Sequence, residues 1–218
     1  MRNKYTAQLK ALNDALIDMG NMCQNAISLS CQALSSGDLE LANKIFASDD
    51  MVDKQERDIE SMCLSLILHQ QPVASDLHAI SAALKMITDL ERIGDHACDI
   101  AEIMLHNKSG TLTMLHEIEN MVSCVVTMLH TAIEAYIKRD LDMARGVYDL
   151  DDEVDTMFFN IKEHLIEKLK SDSASIGHDV LDVLMVAKYL ERIGDHACNV
   201  AGWVVFAITG EHKHQNQP

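Results

Sequence analysis

The nine residues LERIGDHAC stand at 90 to 98 and again, unchanged, at 190 to 198. A repeat of that length, spaced 100 residues apart in a chain of 218, marks duplication of a unit about half the chain long, so the fold must hold two like halves. Weaker matches extend the duplication. DLELA at 38 to 42 pairs with DLDMA at 140 to 144, and DDMVD at 49 to 53 with DDEVD at 151 to 155, both at an offset of 102. The two-residue change of offset falls between the second and third helices of each half, where loop length costs little.

Helical periodicity predicts three helices per half, with breaks in matching places. They run over about 4 to 35, 39 to 69 and 77 to 107, interrupted at SSGD, at QQPVASD with its Pro72, and at NKSGT; the second set runs over about 112 to 138, 141 to 170 and 180 to 207. The expectation is an all-α protein of two tandem three-helix bundles, residues 1–109 and 110–218, with helices up to about 45 Å long at about 1.5 Å per residue. Only two prolines, 4% aromatic residues and 13 methionines fit an aliphatic and Met-rich helical core.

The formal charge of −16 opposes binding to nucleic acid or an anionic membrane and favours a basic partner or a bound cation. The N-terminus lacks the apolar stretch of a signal peptide, and no uninterrupted apolar run reaches the roughly 18 residues of a membrane span, which predicts a cytoplasmic protein. Six cysteines without a C-x-x-C pair, lying within helical patterns, read as small buried hydrophobes.

On a wheel turning about 100° per residue, Ile80, Leu84, Ile87, Cys98 and Leu105 define an apolar arc in the third helix. Glu91 falls inside that arc, and Asp95 and Asp99 fall on its margin; Glu191, Asp195 and Asn199 repeat the placement. Like charges four residues apart repel, and a carboxylate on a core-facing position needs compensation. Gly94 and Gly194, which cost about 1 kcal/mol in a helix interior, imply close approach of another helix or a ligand.

The preceding helix adds Asp49 and Asp53 in one half and Asp151 and Asp155 in the other. Counted from the loop of each antiparallel hairpin, these aspartates come level with Glu91 and Asp95, or with Glu191 and Asp195. Four converging carboxylates form an oxygen site suited to iron, manganese, magnesium or calcium, with zinc also admissible. The alternative is a salt-bridge network in which Arg92 and Arg192 neutralise the acids. His96 and His196 point toward the polar side, as ligands or as capping or solvent-facing residues, and His212 and His214 fall in a frayed tail. Glu56 and Glu60 extend the acidic stripe of the first half, where the second has Phe158 and Lys162, so the first site would hold more ions or hold them more tightly.

The pair LERIGDHACDIAE and LERIGDHACNVAG, the two DDxVD elements and the duplicated three-helix plan resemble the PhoU family of phosphate-signalling regulators across nearly the whole chain. The resemblance implies multinuclear iron or zinc clusters on the bundle surface, carried by Asp49, Asp53, Glu91, Asp95 and Asp99 in one half and by Asp151, Asp155, Glu191, Asp195 and Asn199 in the other. The family commonly has Asn where this chain has Asp99, which leaves the ligand set of the first site open. It further implies a non-catalytic negative regulator of the phosphate-starvation response, acting between a phosphate-specific ABC transporter and a membrane sensor histidine kinase, with a homodimer as one open assembly. Inorganic phosphate bridging the ions is a further expectation. Two other classes stand beside this one: a di-iron carboxylate oxidase or iron-storage bundle, which needs Glu-x-x-His pairs on core helices whereas the one here is Glu211 to His214, and a metal-free helical module that binds a basic partner.

Overall fold

The computed structural model describes residues 2–46, 49–70, 72–106, 115–171 and 177–211, and every regular element among them is helical. The order is α1 (Arg2–Ser36), α2 (Leu39–Phe46), α3 (Asp49–Gln70), α4 (Ala74–His106), α5 (Leu115–Lys138), α6 (Leu141–Ser171) and α7 (Gly177–Thr209). Two three-helix bundles result, α1 with α2/α3 and α4, and α5 with α6 and α7. The second helix expected in the first half is described in two stretches, and residues 47 and 48 between them lie outside the described residues. The expected starts and ends at 107 and 112 lie outside them as well.

The same local chemistry sets the start of the second helix in each half. The carboxylate of Asp38 accepts from the backbone N–H groups of Glu40 and Leu41, and that of Asp140 from those of Asp142 and Met143, all at 2.9 to 3.0 Å. An N-cap of this kind satisfies donors that the first helical turn leaves without partners. The turns before the caps differ. Gly37 sits at φ 69° at the end of α1, whereas Arg139, 102 residues later, takes φ 52° at the end of α5. A left-handed arginine carries a steric cost that glycine avoids, and here its guanidinium donates to the Ala207 carbonyl near the end of α7 at 3.3 Å. Arg139→Ala keeps the cost and loses the bond, so it should unfold at lower urea concentration than wild type. Arg139→Gly should exceed Arg139→Ala in stability by about 1 kcal/mol in the same titration.

The bundles share one apolar core. Buried side chains from all seven helices, among them Leu16, Ile59, Ile93, Met128, Ile161 and Ile193, belong to a single continuous cluster. The seam is made chiefly by α4 against α7, with α1 against α5 alongside. His78 meets Phe206 at a ring separation of 5.2 Å, Asp89 meets His196, and His96 meets Tyr189. One number falls as the other rises, so α4 and α7 run antiparallel along their length and the halves are related by a pseudo-twofold near the level of Arg92 and Arg192.

By length and mean hydropathy, His116–Lys138 of α5 is apolar enough to cross a membrane. Its apolar residues form no uninterrupted run. Ile118, Met121, Val125, Met128, Leu129, Ala132 and Ala135 are instead fully buried against α1, α6 and α7, as a core helix requires.

Candidate functional site

The acid pairs come level, as the hairpin count predicts. A Cβ built on Gly94 would lie 3.1 Å from Cγ1 of Val52, and one on Gly194 would lie 3.3 Å from Oδ1 of Asp151 and 3.5 Å from Cγ1 of Val154. Each glycine therefore marks the crossing of the two helices that carry the acids. From that point Asp49 and Asp53 on α3 face Asp95 and Glu91 on α4, while Asp151 and Asp155 on α6 face Asp195 and Glu191 on α7. All eight side chains are half-buried or exposed, which places the clusters in surface grooves over the core.

The carboxylates repel one another. Burial, followed by the charge of Asp95, raises the pKa of Asp49; burial and Asp95 also raise that of Glu91, where Arg92 works the other way. In the second cluster burial and the charges of Asp155 and Asp195 push Asp151 up to about 6. Asp155 and Asp195 are raised by burial and by Glu191, with Lys188 opposing. Protons or cations are the species that relieve such a field.

Built-in cations supply part of that relief, and differently in each half. Arg92 pairs with Asp95 at 2.8 Å and Glu91 at 3.3 Å, and Arg57 lies 3.7 Å from Asp53. In the second cluster the ion pair to Glu191 comes from Lys188 rather than from Arg192, whose charge acts on His96. Lys188 also lies over the ring of Phe158, 5.4 Å from its centroid. The first half has Thr88 and Glu56 in these two places, joined by a hydrogen bond of 3.4 Å. The second cluster thus exchanges an acid for an aromatic ring and acquires its own lysine.

The donor set suits a hard or borderline cation: all-oxygen, negative beyond what Arg92 and Lys188 offset, and open on one side. Among the described residues no three His, Cys, Asp or Glu side chains close to the spacing that holds one ion. The rotamers present serve Arg92 and Lys188 instead, so a cation would compete with both.

Two residues of the candidate set lie toward the seam. The carboxylate of Asp99 pairs with Nδ1 of His96 at 3.2 Å, and Asn199 donates through Nδ2 to Asp89 at 3.1 Å. His96 is buried, not solvent-facing, because the polar side of its helix is the side on which the other half docks; its ring lies 5.5 Å from Tyr189 and 5.6 Å from His196. Nδ1 of His196 lies 2.9 Å from Asp89. The extra acid at Asp99 is therefore half of an exchange. Where the halves meet, one junction holds His196, Asn199 and Asp89, and the other holds His96, Asp99 and Tyr189, so each histidine has one acid although the acids come from different registers. The signal was present just outside the repeat, in the change from TDLERIGDHAC to KYLERIGDHAC, which also contains the Thr88 to Lys188 change.

The cysteines behind the acids are buried. The Cys98 thiol lies 3.6 Å from both Oδ1 of Asp49 and the Ile45 carbonyl, and burial with the Asp49 charge pushes it up to about 12; Cys198 is raised in the same way beside Asp151. Both stay protonated at neutral pH and can donate to the carboxylates. His212 and His214 lie outside the described residues.

Comparison with known proteins bears directly on these grooves. The family model described as "PhoU domain" matches the chain twice, over residues 16–104 and 118–204, and both acid clusters fall inside the matches. The chain belongs to the PhoU family. It is 36% identical over 217 residues to a phosphate-specific transport system accessory protein PhoU homolog of Clostridium acetobutylicum, covering 99% of each chain. It is 30% identical to the accessory protein PhoU of Escherichia coli, over 95% of this chain and 86% of that protein. The crystal structure of PhoU from Pseudomonas aeruginosa superposes with a TM-score of 0.88 at 30% identity, covering 95% of this chain and 100% of that one. In PhoU terms, each domain contributes one level pair of acid-bearing helices, and the α4–α7 seam joins the two domains.

Proposed function

We propose that this chain is a metal-binding regulator of phosphate uptake, acting as an accessory protein of a phosphate-specific ABC transporter and as a negative regulator of phosphate-starvation signalling through a sensor histidine kinase. The observation that carries the proposal is the pair of level carboxylate clusters, each with acids raised by mutual repulsion, set into a chain of the PhoU family. The relatives' role as accessory proteins of phosphate-specific transport systems supports the transporter half of the reading. The kinase half, the cytoplasmic location and the iron or zinc preference rest on resemblance to the family.

Asp49, Asp53, Glu91 and Asp95 would hold cations in the first groove and Asp151, Asp155, Glu191 and Asp195 in the second, with Asp99 and Asn199 at the seam-side margin. A bound cation would supply the positive charge that four clustered carboxylates lack. Arg92 and Lys188 would give up their carboxylate oxygens to it. The first groove has Glu56 in place of Phe158 and Thr88 in place of Lys188, but Arg57 pairs with Asp53 there where the second has Phe159, so the two grooves differ little in net charge. No catalytic turnover is assigned to these residues. Their work is to bind, and to change the charge of a surface that a partner reads.

Elemental analysis of protein purified without chelators should find at least one iron or zinc ion per domain. Less than one ion per chain would instead support the reading in which Arg92 and Lys188 neutralise the acids and the grooves bind a basic partner without metal. In cells lacking the gene, a phosphate-starvation reporter should stay on in rich phosphate, and the wild-type gene should switch it off again. Titration of the loaded protein with inorganic phosphate tests the bridging role, and an absence of heat and of spectral change would remove it.

A further inference from the structure

Beside the second acid cluster, but lined by none of its four carboxylates, a groove of about 520 Å³ runs between α5 and α6 of the second domain. Leu150, Met157 and Ile161 line it with apolar surface, its acids are Glu117 and Glu153, and no Lys or Arg stands in the lining. In the first domain a side chain bridges the equivalent place, and the cavity that remains between α1 and α3, about 280 Å³, lies further along, beside Ser61, Met62 and Leu66. The bridge is Gln55, which reaches across from α3 and donates through Nε2 to the Ala15 carbonyl of α1 at 3.1 Å. At the offset of 102 their counterparts are Met157 and Glu117, and both line the open groove. The pseudo-symmetry is broken at one side chain that can bridge two helices in one domain and cannot in the other.

We infer that this groove is a docking site for a basic amphipathic segment of a partner protein. The apolar lining takes the apolar face of such a segment, Glu117 and Glu153 pair with its lysines or arginines, and a host of charge −16 draws it in. The lining contains none of the eight clustered carboxylates, so binding is expected with or without metal in the clusters.

The test is fluorescence anisotropy in the presence of EDTA, with a labelled helical peptide carrying Lys on one face and Leu on the other. A peptide of identical composition with the two residue types mixed around the helix serves as comparison. The amphipathic peptide should bind, more weakly as salt rises, and Glu117→Lys with Glu153→Lys should weaken it at least about tenfold. Met157→Gln, which offers the first domain's bridge to the Glu117 carbonyl, should weaken it without any change of charge and so stands should the double reversal misfold. Glu40→Lys with Asp58→Lys, an equal reversal on the other domain, should leave binding unchanged. Equal weakening by that remote pair, equal binding of the mixed peptide, or no binding at all would overturn the inference. So would a dimer in sedimentation that the groove variants dissociate, since the occupant would then be a second copy of this chain.

Discussion

Asp151→Asn is expected to raise the melting temperature of the metal-free protein at neutral pH while removing the stabilisation that added zinc or iron(II) gives the second domain. Asp151 has a folded-state pKa of about 6 against an ordinary 3.8, with burial as the main cause and Asp155 and Asp195 adding to it. A raised carboxylate pKa means that the folded state binds the proton more tightly than the unfolded chain does. Stability from this group is therefore present in full below the ordinary value, and is lost as pH rises through the folded one. The metal-free wild type should gain stability as pH falls from about 7 toward 5, and Asp151→Asn should flatten that slope. With solvent screening of a half-exposed side chain taken into account, the gain from the amide at neutral pH is about 1 kcal/mol, or roughly 2–4 °C for a chain of this size. A cation at 100 times its dissociation constant would stabilise wild type by about 2.7 kcal/mol, and the variant should lose that shift at this site. Differential scanning calorimetry across pH, with and without metal, checks both signs. A variant less stable than wild type when metal-free, with the metal shift intact, would show Asp151 to be a structural partner and not a ligand.

The glycines at the helix crossings should respond in a graded way. Gly146 in α6 has nothing within 4 Å of where a Cβ would stand, so Gly146→Ala should stabilise by up to about 1 kcal/mol through helix propensity. Gly94→Ala gains the same propensity but places its methyl 3.1 Å from Val52, which must move by a few tenths of an ångström, so the net effect should be close to zero. Gly94→Leu drives further atoms into that contact, and overpacking of about 1–3 kcal/mol should outweigh the propensity gain. Urea denaturation measures the series, and Val52→Ala should recover part of the loss in Gly94→Leu. Because the crossing sets the level of Asp49 and Asp53 against Glu91 and Asp95, Gly94→Leu should also lower the metal content of the first domain and spare the second. Loss of stability with unaltered metal content would separate the crossing from the site.

Both expectations rest on features legible in the residue order. The duplication, the helix breaks at Gly37 and Pro72, and the level of the acid pairs all follow from spacing, because a helix converts sequence separation into angle and height by a fixed rule. The seam does not follow from spacing. His96 reads as polar-side because its own three-helix unit leaves that side free, yet the side is covered by α7, whose contacting residues lie about a hundred positions away. Asp99 reads as an added charge in the first cluster. It becomes intelligible beside Tyr189, just as Asn199 does beside Asp89.

What the amino-acid order determined by itself is the pair of like helical units and the acids that each presents in register, since these depend on periodicity within single helices and hairpins. Only the tertiary structure decided which polar faces become buried at the α4–α7 seam, which local cation meets each acid cluster, and that the α5–α6 groove stays unbridged where Gln55 spans its counterpart. Those outcomes depend on side chains far apart in sequence meeting at van der Waals and hydrogen-bond distance, and no helical period within one unit carries that information.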